Sequence, residues 1–207
     1  MSIGLIAAFW VVSILFVITP GADWAYAITA GLRDRSPLPA VLGMLAGHLI
    51  ATLVVAAGVG VLVSRVPGLL TVITVAGALY LVWLGIGLLR APAAVPQAED
   101  GVAITSSPFA QAAKGVGISG LNPKVFLLFL ALLPQFTDAA EPWPVAVQMT
   151  VLGLIHLASC AVVYLLVGYG ARKVLRARPR AAFVVTRVSG VAMILIGIVL
   201  VVEKLVV

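Results

Sequence analysis

Six long apolar runs, separated by short polar connections, limit what this chain of 207 residues can fold into. The runs are residues 3–32, 38–63, 67–89, 109–133, 144–170 and 183–202. The second, third, fifth and sixth runs are long enough to cross the hydrocarbon core of a bilayer as helices, which takes about 20 residues. The chain is 63% hydrophobic and 10% charged, whereas soluble domains have about 25% charged residues. We therefore predict an all-α integral membrane protein with about six transmembrane helices.

The first and fourth apolar runs are each interrupted by a proline and its polar neighbours. A proline inside a helix removes a backbone hydrogen bond and clashes with the preceding turn, which costs about 3 kcal/mol or more. A neighbouring glycine or asparagine loosens the helix further. The interruptions comprise Thr19, Pro20 and Gly21 in the first run, and Asn122, Pro123 and Lys124 in the fourth. We predict that both segments are broken helices.

The order of features divides the chain into two halves. A linker at residues 91–108 separates residues 1–90 from residues 109–207, and each half contains three apolar segments. The first segment of each half is interrupted, and the second carries one histidine, His48 or His156. Three crossings is an odd number, so two such halves have opposite orientations. The pattern predicts two inverted three-helix repeats that form one transmembrane domain, as in many secondary transporters.

Glycines also recur within the apolar segments. Each third segment contains a glycine pair, Gly77 with Gly85 and Gly190 with Gly197. A Gly-x-x-x-Gly face in the second segment starts at Gly43 and allows close helix packing, either within the subunit or between subunits. The four tryptophans are interpreted as interface anchors or packing residues.

The distribution of Lys and Arg predicts the orientation in the membrane. Only Arg65 and Lys204 lie on one side of the predicted spans, and Lys124 lies inside a segment. The positive-inside rule places the richer side in the cytoplasm and both termini outside. If the first broken segment is re-entrant, the N-terminus is inside instead. A net charge of +6 would suggest nucleic acid for a soluble protein, but here membrane orientation explains it, and no nucleic-acid partner is expected. The ten cytoplasmic residues are Arg33, Arg35, Arg90, Lys114, Arg172, Lys173, Arg176, Arg178, Arg180 and Arg187.

Asp23 and Lys124 are the candidates for a functional site within the membrane. A charge at the middle of a spanning helix costs about 2.5–3.5 kcal/mol, so such residues are rare and usually functional. A broken helix exposes N–H groups at one end and carbonyls at the other, and these groups bind the two charges of a zwitterion. Asp23 would complement an ammonium or carry a proton, and Lys124 would meet a carboxylate. Alternatively, the two residues form a structural ion pair, or Lys124 extends to the interface. The site also includes the neighbouring residues of the interruptions: Thr19, Pro20, Gly21, Asn122 and Pro123.

His48 and His156 complete the candidate site. Thr52 lies four residues after His48 and Ser159 three after His156, so each histidine shares a helical face with a hydroxyl. One interpretation is hydrogen bonding between helices, and another is a direct role in substrate or proton movement. A bis-histidine haem, which would make the protein an electron carrier, is the third.

Several other chemistries are not expected from the sequence. Cys160 is the single cysteine, so neither a disulfide within the chain nor a cysteine-based metal cluster is possible. No nucleophile–base constellation, phosphate-binding glycine loop or metal-ligand spacing is present. We therefore expect no enzyme activity, no metal and no cofactor.

Longer stretches around these residues resemble the LysE/RhtB family of bacterial amino-acid exporters. The segment Thr19-Pro20-Gly21-Ala22-Asp23 is similar to the family's Pro-Gly-Pro-Asp, with Ala22 in place of the second proline. Asn122-Pro123-Lys124 is followed by FLALLPQF at 129–136, which is the more distinctive match. GALYLVWLGIGLLR at 77–90 is similar too, as are residues 43–48, so the likeness covers nearly the whole chain.

The resemblance implies export of an amino acid or close derivative from the cytoplasm, driven by proton exchange. It also implies a multi-pass protein of the bacterial inner membrane, often a homodimer. Ala22 departs from the family pattern while Asp23 is kept. We therefore expect a change in substrate specificity and not a loss of activity. A small-solute channel without proton coupling is the remaining alternative.

Overall fold

The computed structural model describes residues 1–34, 36–65, 69–90 and 107–174, and parts of 187–202. Within these ranges some residues, including Pro123 and Lys124, are described by their backbone alone. All regular structure among the described residues is helical. A 3₁₀ turn at Leu133–Phe136 follows the sixth helix. The helices are α1 (Ile3–Ile18), α2 (Ala22–Arg33), α3 (Leu38–Arg65), α4 (Leu69–Arg90), α5 (Pro108–Gly120), α6 (Pro123–Leu132), α7 (Val145–Val174) and α8 (Gly190–Val199).

Two helices are by themselves long and apolar enough to cross a membrane. They contain the apolar stretches Leu38–Val59 in α3 and Val145–Ala171 in α7. The pair α1 and α2 is bent by 57°, the pair α5 and α6 by 53°, and each pair meets the same criterion as one broken span. The described residues thus contain up to four spans and the two predicted helix breaks. The count of six spans stays a prediction.

The distribution of side chains is that of a protein in lipid. Large apolar side chains point outward, among them Trp83 and Leu166, which are 67% and 68% exposed. Polar side chains lie inside instead, and Ser13, Ser119 and Gln148 have no exposed surface. A continuous apolar exterior is unfavourable in water, whereas in a bilayer it faces hydrocarbon. This arrangement supports the prediction of an integral membrane protein.

Glycines set the closest helix contacts around the centre of the molecule. A Cβ atom on Gly47 of α3 would lie 2.6 Å from the backbone nitrogen of Gly120 in α5. One on Gly115 of α5 would lie 2.5 Å from the carbonyl oxygen of Ala40. Gly43 meets the Ala112 carbonyl in the same way. The Gly-x-x-x-Gly face of α3 therefore packs within the subunit, and it holds α3 against the first half of the second broken segment.

The two broken segments start with matching caps. The Ser2 hydroxyl accepts a hydrogen bond from the Leu5 amide at 3.2 Å, and the Ser107 hydroxyl accepts one from the Ala110 amide at 3.2 Å. Pro108 occupies the first helical position of α5, where a proline has no hydrogen bond to lose. These caps fix where each segment begins, so its interruption falls about 16 residues into the first segment and 13 into the second.

Candidate functional site

The end of α1 at the first break is closed by its own neighbours. The Thr19 amide donates to the Phe16 carbonyl at 3.2 Å, and its hydroxyl donates to the Leu15 carbonyl at 2.5 Å. The Trp24 indole donates to the Val17 carbonyl at 2.8 Å. We expected unpaired carbonyls at this end, and for these three residues the expectation is wrong. Trp24 serves the break itself and is not an interface anchor.

The start of α2 is open by comparison. Gly21 is its N-cap, and no side chain hydrogen-bonds to the cap. The Gly21 backbone is extended, with φ of −163°, a conformation that any residue adopts. A Cβ atom at Gly21 would meet nothing within 4 Å. We expected Gly21 to loosen the helix. In the structure its contribution is the open space beside its backbone, which a side chain would occupy.

The second break differs in the position of its proline. α5 ends at Gly120, and the Leu121 amide still donates to the Gly117 carbonyl at 3.2 Å. Pro123 is the first residue of α6, so it is not in a helix interior as we predicted. At this position a proline costs no hydrogen bond, and it acts by holding Asn122 out of the helical conformation. The Asn122 carbonyl then accepts the first bond of α6, from the Val125 amide at 3.0 Å.

A cavity of about 70 Å³ lies between the two breaks. Six of the nine predicted site residues line it. Pro20 is buried beside the cavity but does not line it. The side chains of Pro123 and Lys124 lie outside the described part of the chain, so an Asp23–Lys124 pair stays a prediction. The lining consists of Phe16, Val17, Thr19, Gly21, Ala22, Asp23, Trp24, His48, Asn122, Val125, Leu128, His156 and Tyr164.

Asp23 has polar partners from three other helices. Its Oδ1 accepts a hydrogen bond from the Ser119 hydroxyl at 2.5 Å, and its Oδ2 accepts one from the Tyr164 hydroxyl at 3.4 Å. Nε2 of His48 lies 3.8 Å from Oδ2. The Asp23 side chain is only 15% exposed, and it lies in the first turn of α2, where the helix carries partial positive charge. The Asp23 carboxylate is thus held in place by hydrogen-bond donors, and it lines the cavity.

The two histidines lie side by side, with ring centroids 5.7 Å apart. Nδ1 of His48 is 3.0 Å from the Met44 carbonyl, so this nitrogen carries a hydrogen, and Nε2 faces Asp23. Nδ1 of His156 is 2.7 Å from the Ser13 hydroxyl of α1. The two hydroxyls that share a helical face with the histidines, those of Thr52 and Ser159, do not bond to them. Thr52 Oγ1 has no partner among the described residues, and Ser159 bonds elsewhere.

The space between the histidines does not fit a haem. The Phe129 ring packs against both of them, with its centroid 5.1 Å from that of His156 and 5.9 Å from that of His48. Sites for ligands of drug size have volumes of about 300–1,000 Å³, several times that of this cavity. A macrocycle between the rings would displace Phe129 and separate α3 from α7. The geometry therefore disfavours the bis-histidine haem alternative.

Sequence reasoning missed three residues of the site, Ser13, Ser119 and Tyr164. Tyr164 had a detectable signal, because it lies eight residues after His156 and thus on the same face of α7. Ser119 lies within one turn of the second break. Nothing in the sequence distinguishes Ser13, since its selection depends on how α1 packs against α7.

Buried polar groups around a cavity between two broken apolar helices, under a lipid-facing surface, define a membrane protein with a site for a small polar solute. The chain belongs to the LysE type translocator family, whose profile matches residues 14–204. The family resemblance inferred from the sequence is thus confirmed, and the protein is a membrane transporter.

Several curated proteins are similar to this chain. An uncharacterized membrane protein of Vibrio cholerae is 34% identical over 169 residues, which are 79% of this chain and 78% of that protein. A leucine efflux protein of Klebsiella pneumoniae is 27% identical over 74% of each chain. A homoserine/homoserine lactone efflux protein of Salmonella typhimurium is 29% identical over 65% of this chain and 66% of its own length. No solved structure matches the chain.

Proposed function

We propose that this protein is a secondary transporter that exports a neutral amino acid from the cytoplasm in exchange for protons. The observation that carries the proposal is the convergence of both helix breaks on one cavity beside a partly buried carboxylate, that of Asp23. The named efflux proteins among its relatives support the same direction of transport. The bacterial inner membrane is the proposed location, with both termini outside according to the count of Lys and Arg.

Asp23 is the proposed partner of the substrate ammonium. It is the only acidic side chain among the described residues that line the cavity. A basic amino acid would place a second cation there without a second carboxylate, which is costly in a low-dielectric site. Phe16, Val125 and Leu128 provide an apolar wall for the side chain of the substrate. These features favour neutral, apolar substrates over basic ones.

The substrate carboxylate is assigned to the helix starts at the breaks. The N-terminus of α2 carries no side-chain cap, and the N-terminus of α6 follows Asn122, which lines the cavity. Helix N-termini carry partial positive charge and free N–H groups, which bind anions. Because Asp23 already occupies the start of α2, α6 is the better site for the carboxylate. Lys124, in the first turn of α6, is proposed to add a full positive charge.

Proton exchange is proposed to work through competition for Asp23. Nδ1–H of His48 is committed to the Met44 carbonyl, so an added proton goes to Nε2, which faces the carboxylate. A His48 cation and the substrate ammonium then compete for the same carboxylate, and each favours departure of the other. The substrate would bind from one side of the membrane and the proton from the other.

Alternating access is proposed to use the two inverted repeats. The cavity of about 70 Å³ is several times smaller than typical small-molecule sites of roughly 300–1,000 Å³, so it must widen to pass an amino acid. The counterpart residues His48 and His156 face each other across the contact of α3 with α7. Thr52 of α3 and Gly153 of α7 also meet, so the two helices run in opposite directions there. A two-fold axis through the site would produce this arrangement.

The glycine pairs of the third segments support the same axis. A Cβ atom on Gly85 would lie 2.6 Å from the Gly190 carbonyl oxygen, and one on Gly197 would lie 2.7 Å from that of Ala78. Suppose that Gly77 corresponds to Gly190 and Gly85 to Gly197. The repeat symmetry then maps the contact between Gly85 and Gly190 onto Gly197 and Gly77, one residue away from the observed contact between Gly197 and Ala78. We propose that six helices in two inverted repeats move against each other around the fixed site.

Uptake into inside-out vesicles tests the proposal. Labelled leucine should accumulate in wild-type vesicles with an acidified lumen, a protonophore should abolish accumulation, and lysine should accumulate far less. Asp23→Asn should remove gradient-driven uptake, and Asp100→Asn in the linker is the matched control. Uptake that equilibrates without any dependence on the pH gradient would favour the uncoupled channel. Failure to take up any amino acid would refute the proposed function.

A further inference from the structure

One cluster of ligating side chains adjoins the cavity, and two of its members, His156 and Cys160, have no role in the mechanism above. His48, His156 and Cys160 are all buried, and each offers one ligand atom within 4.8 Å of the other two. His156 and Cys160 are four residues apart on one face of α7, and His48 approaches from α3. A tetrahedral zinc site has Zn–N distances of about 2.0–2.1 Å and Zn–S of about 2.3 Å, so its ligand atoms are roughly 3.5 Å apart. Side-chain rotations that move each ligand atom by about 1 Å would bring the three atoms to the spacing that an ion requires.

The surroundings of both histidines are those of metal ligands. Nδ1 of His48 donates to the Met44 carbonyl, and Nδ1 of His156 is paired with the Ser13 hydroxyl. In metal sites the second ring nitrogen of a ligating histidine is held by a carbonyl, carboxylate or hydroxyl, which fixes the tautomer and the ring orientation. In this protein both Nδ1 atoms are held in this way, which leaves both Nε2 atoms for an ion.

Charge and ligand type select the class of ion. Asp23 Oδ2, 3.8 Å from His48 Nε2, is available as a fourth ligand. A divalent ion bound by one thiolate and one carboxylate is electrically neutral overall, which suits a low-dielectric interior. Two imidazoles and a thiolate suit zinc, whereas magnesium and calcium require oxygen ligands.

We propose that His48, His156 and Cys160, with Asp23 as fourth ligand, form an inhibitory zinc site inside the transporter. Zinc binding replaces the proton of the Cys160 thiol, which is released. The ion occupies both His48 Nε2 and Asp23, the two groups proposed to exchange proton and substrate. Zinc therefore locks α3, α7 and the first break together and stops transport. The inhibitory effect rests on the proposed function, whereas zinc binding does not.

Cobalt absorption of the purified full-length protein tests the binding. Cys160 is the single cysteine of the chain, so any thiolate-to-cobalt charge-transfer band comes from this residue. We expect one Co²⁺ per chain, displaced by Zn²⁺ but not by Mg²⁺. Cys160→Ser should abolish the band and weaken binding at least tenfold, His156→Gln should weaken it similarly, and the neighbouring Ser159→Ala should leave it unchanged. Absence of the band in the folded wild-type protein, or wild-type affinity for Co²⁺ in both ligand variants, would overturn the site.

Transport measurements separate this inference from the proposed function. Micromolar Zn²⁺ should block leucine uptake by wild-type vesicles, and a chelator should restore it. Cys160→Ser should resist zinc when each variant is compared with its own rate in chelator. If cobalt binds but zinc leaves uptake unchanged, the ion is not inhibitory and that part of the inference fails. If cobalt binds and no amino acid is transported in chelator, the proposed function fails while the zinc site stands.

Discussion

Filling the cavity from Gly21 provides the most direct test of its role. Gly21 lines the cavity, its backbone is extended, and a Cβ atom there meets nothing within 4 Å. Gly21→Val should therefore fold, with a loss of about 1 kcal/mol in the free energy of unfolding because valine is a poorer N-cap than glycine. The new side chain would point into the space that we assign to substrate. Stability and transport should thus be affected very differently.

The size of the effect follows from the volumes. A methyl group occupies about 30 Å³, similar to a water molecule in the liquid. Gly21→Ala adds one carbon and Gly21→Val adds three beside a cavity of only about 70 Å³, so valine should obstruct it much more than alanine. A cost of about 1.4 kcal/mol for reopening the space corresponds to a tenfold loss of rate. We expect a loss of about threefold for alanine and more than tenfold for valine.

The assay is initial uptake of leucine by inside-out vesicles, normalised to the amount of folded protein. Gly58→Val is the matched control, because a Cβ atom at this exposed position of α3 also meets nothing within 4 Å. It should transport at the wild-type rate. Normal transport by a folded Gly21→Val protein would show that the cavity is not on the substrate path, and the reasoning from the broken helices would fail with it.

Four further outcomes are expected. Asp23→Asn should abolish proton-driven export but leave weak counterflow. If the double variant Asp23→Asn with Lys124→Gln recovers transport, the two residues form only a structural ion pair and do not couple transport to protons. Ser119→Ala removes a hydrogen bond to a charged group, worth about 1.5–3 kcal/mol, and should raise the KM for substrate. Pro123→Ala should slow transport in a protein that still inserts, by releasing Asn122 into the helical conformation; an unchanged rate would make the proline incidental. A cysteine replacing Arg178 should resist impermeant thiol reagents added outside intact cells, and efficient labelling would reverse the predicted orientation.

The helix positions were predictable because they depend on solvent and on local chemistry. Apolar runs bounded by charges become helices in a bilayer, since every backbone group there must be satisfied within its own segment. The predicted run at 38–63 became α3 at Leu38–Arg65, and the run at 144–170 became α7 at Val145–Val174. The breaks were predictable from proline for the same reason. The exact position of Pro123 at a helix start was not, because a proline pattern alone does not distinguish a kink from a new helix.

The partners of the site residues depend on packing between segments far apart in the chain. Asp23 bonds to Ser119, 96 residues away, and the His156–Ser13 pair spans 143 residues. Hydropathy and spacing are local, so they identified Asp23 and both histidines but not their partners. Of the interpretations offered for the histidines, hydrogen bonding between helices is the one that the His156–Ser13 contact shows, but spacing within one helix could not identify the partner.

The two breaks are chemically different, and under the proposed function this difference would give the substrate a fixed direction in the site. At the first break, three carbonyls at the end of α1 already accept hydrogen bonds from Thr19 and Trp24. That end has few acceptors left for an ammonium, so Asp23 must supply the negative charge. At the second break, α6 starts with a proline followed by a lysine, so it presents positive charge. Under the proposed function a zwitterion would fit in one orientation only, with its ammonium toward the first break and its carboxylate toward the second. N-Acetyl-leucine, which lacks the ammonium, should accordingly fail to inhibit leucine uptake. Strong inhibition by N-acetyl-leucine would show that Asp23 does not bind the substrate ammonium.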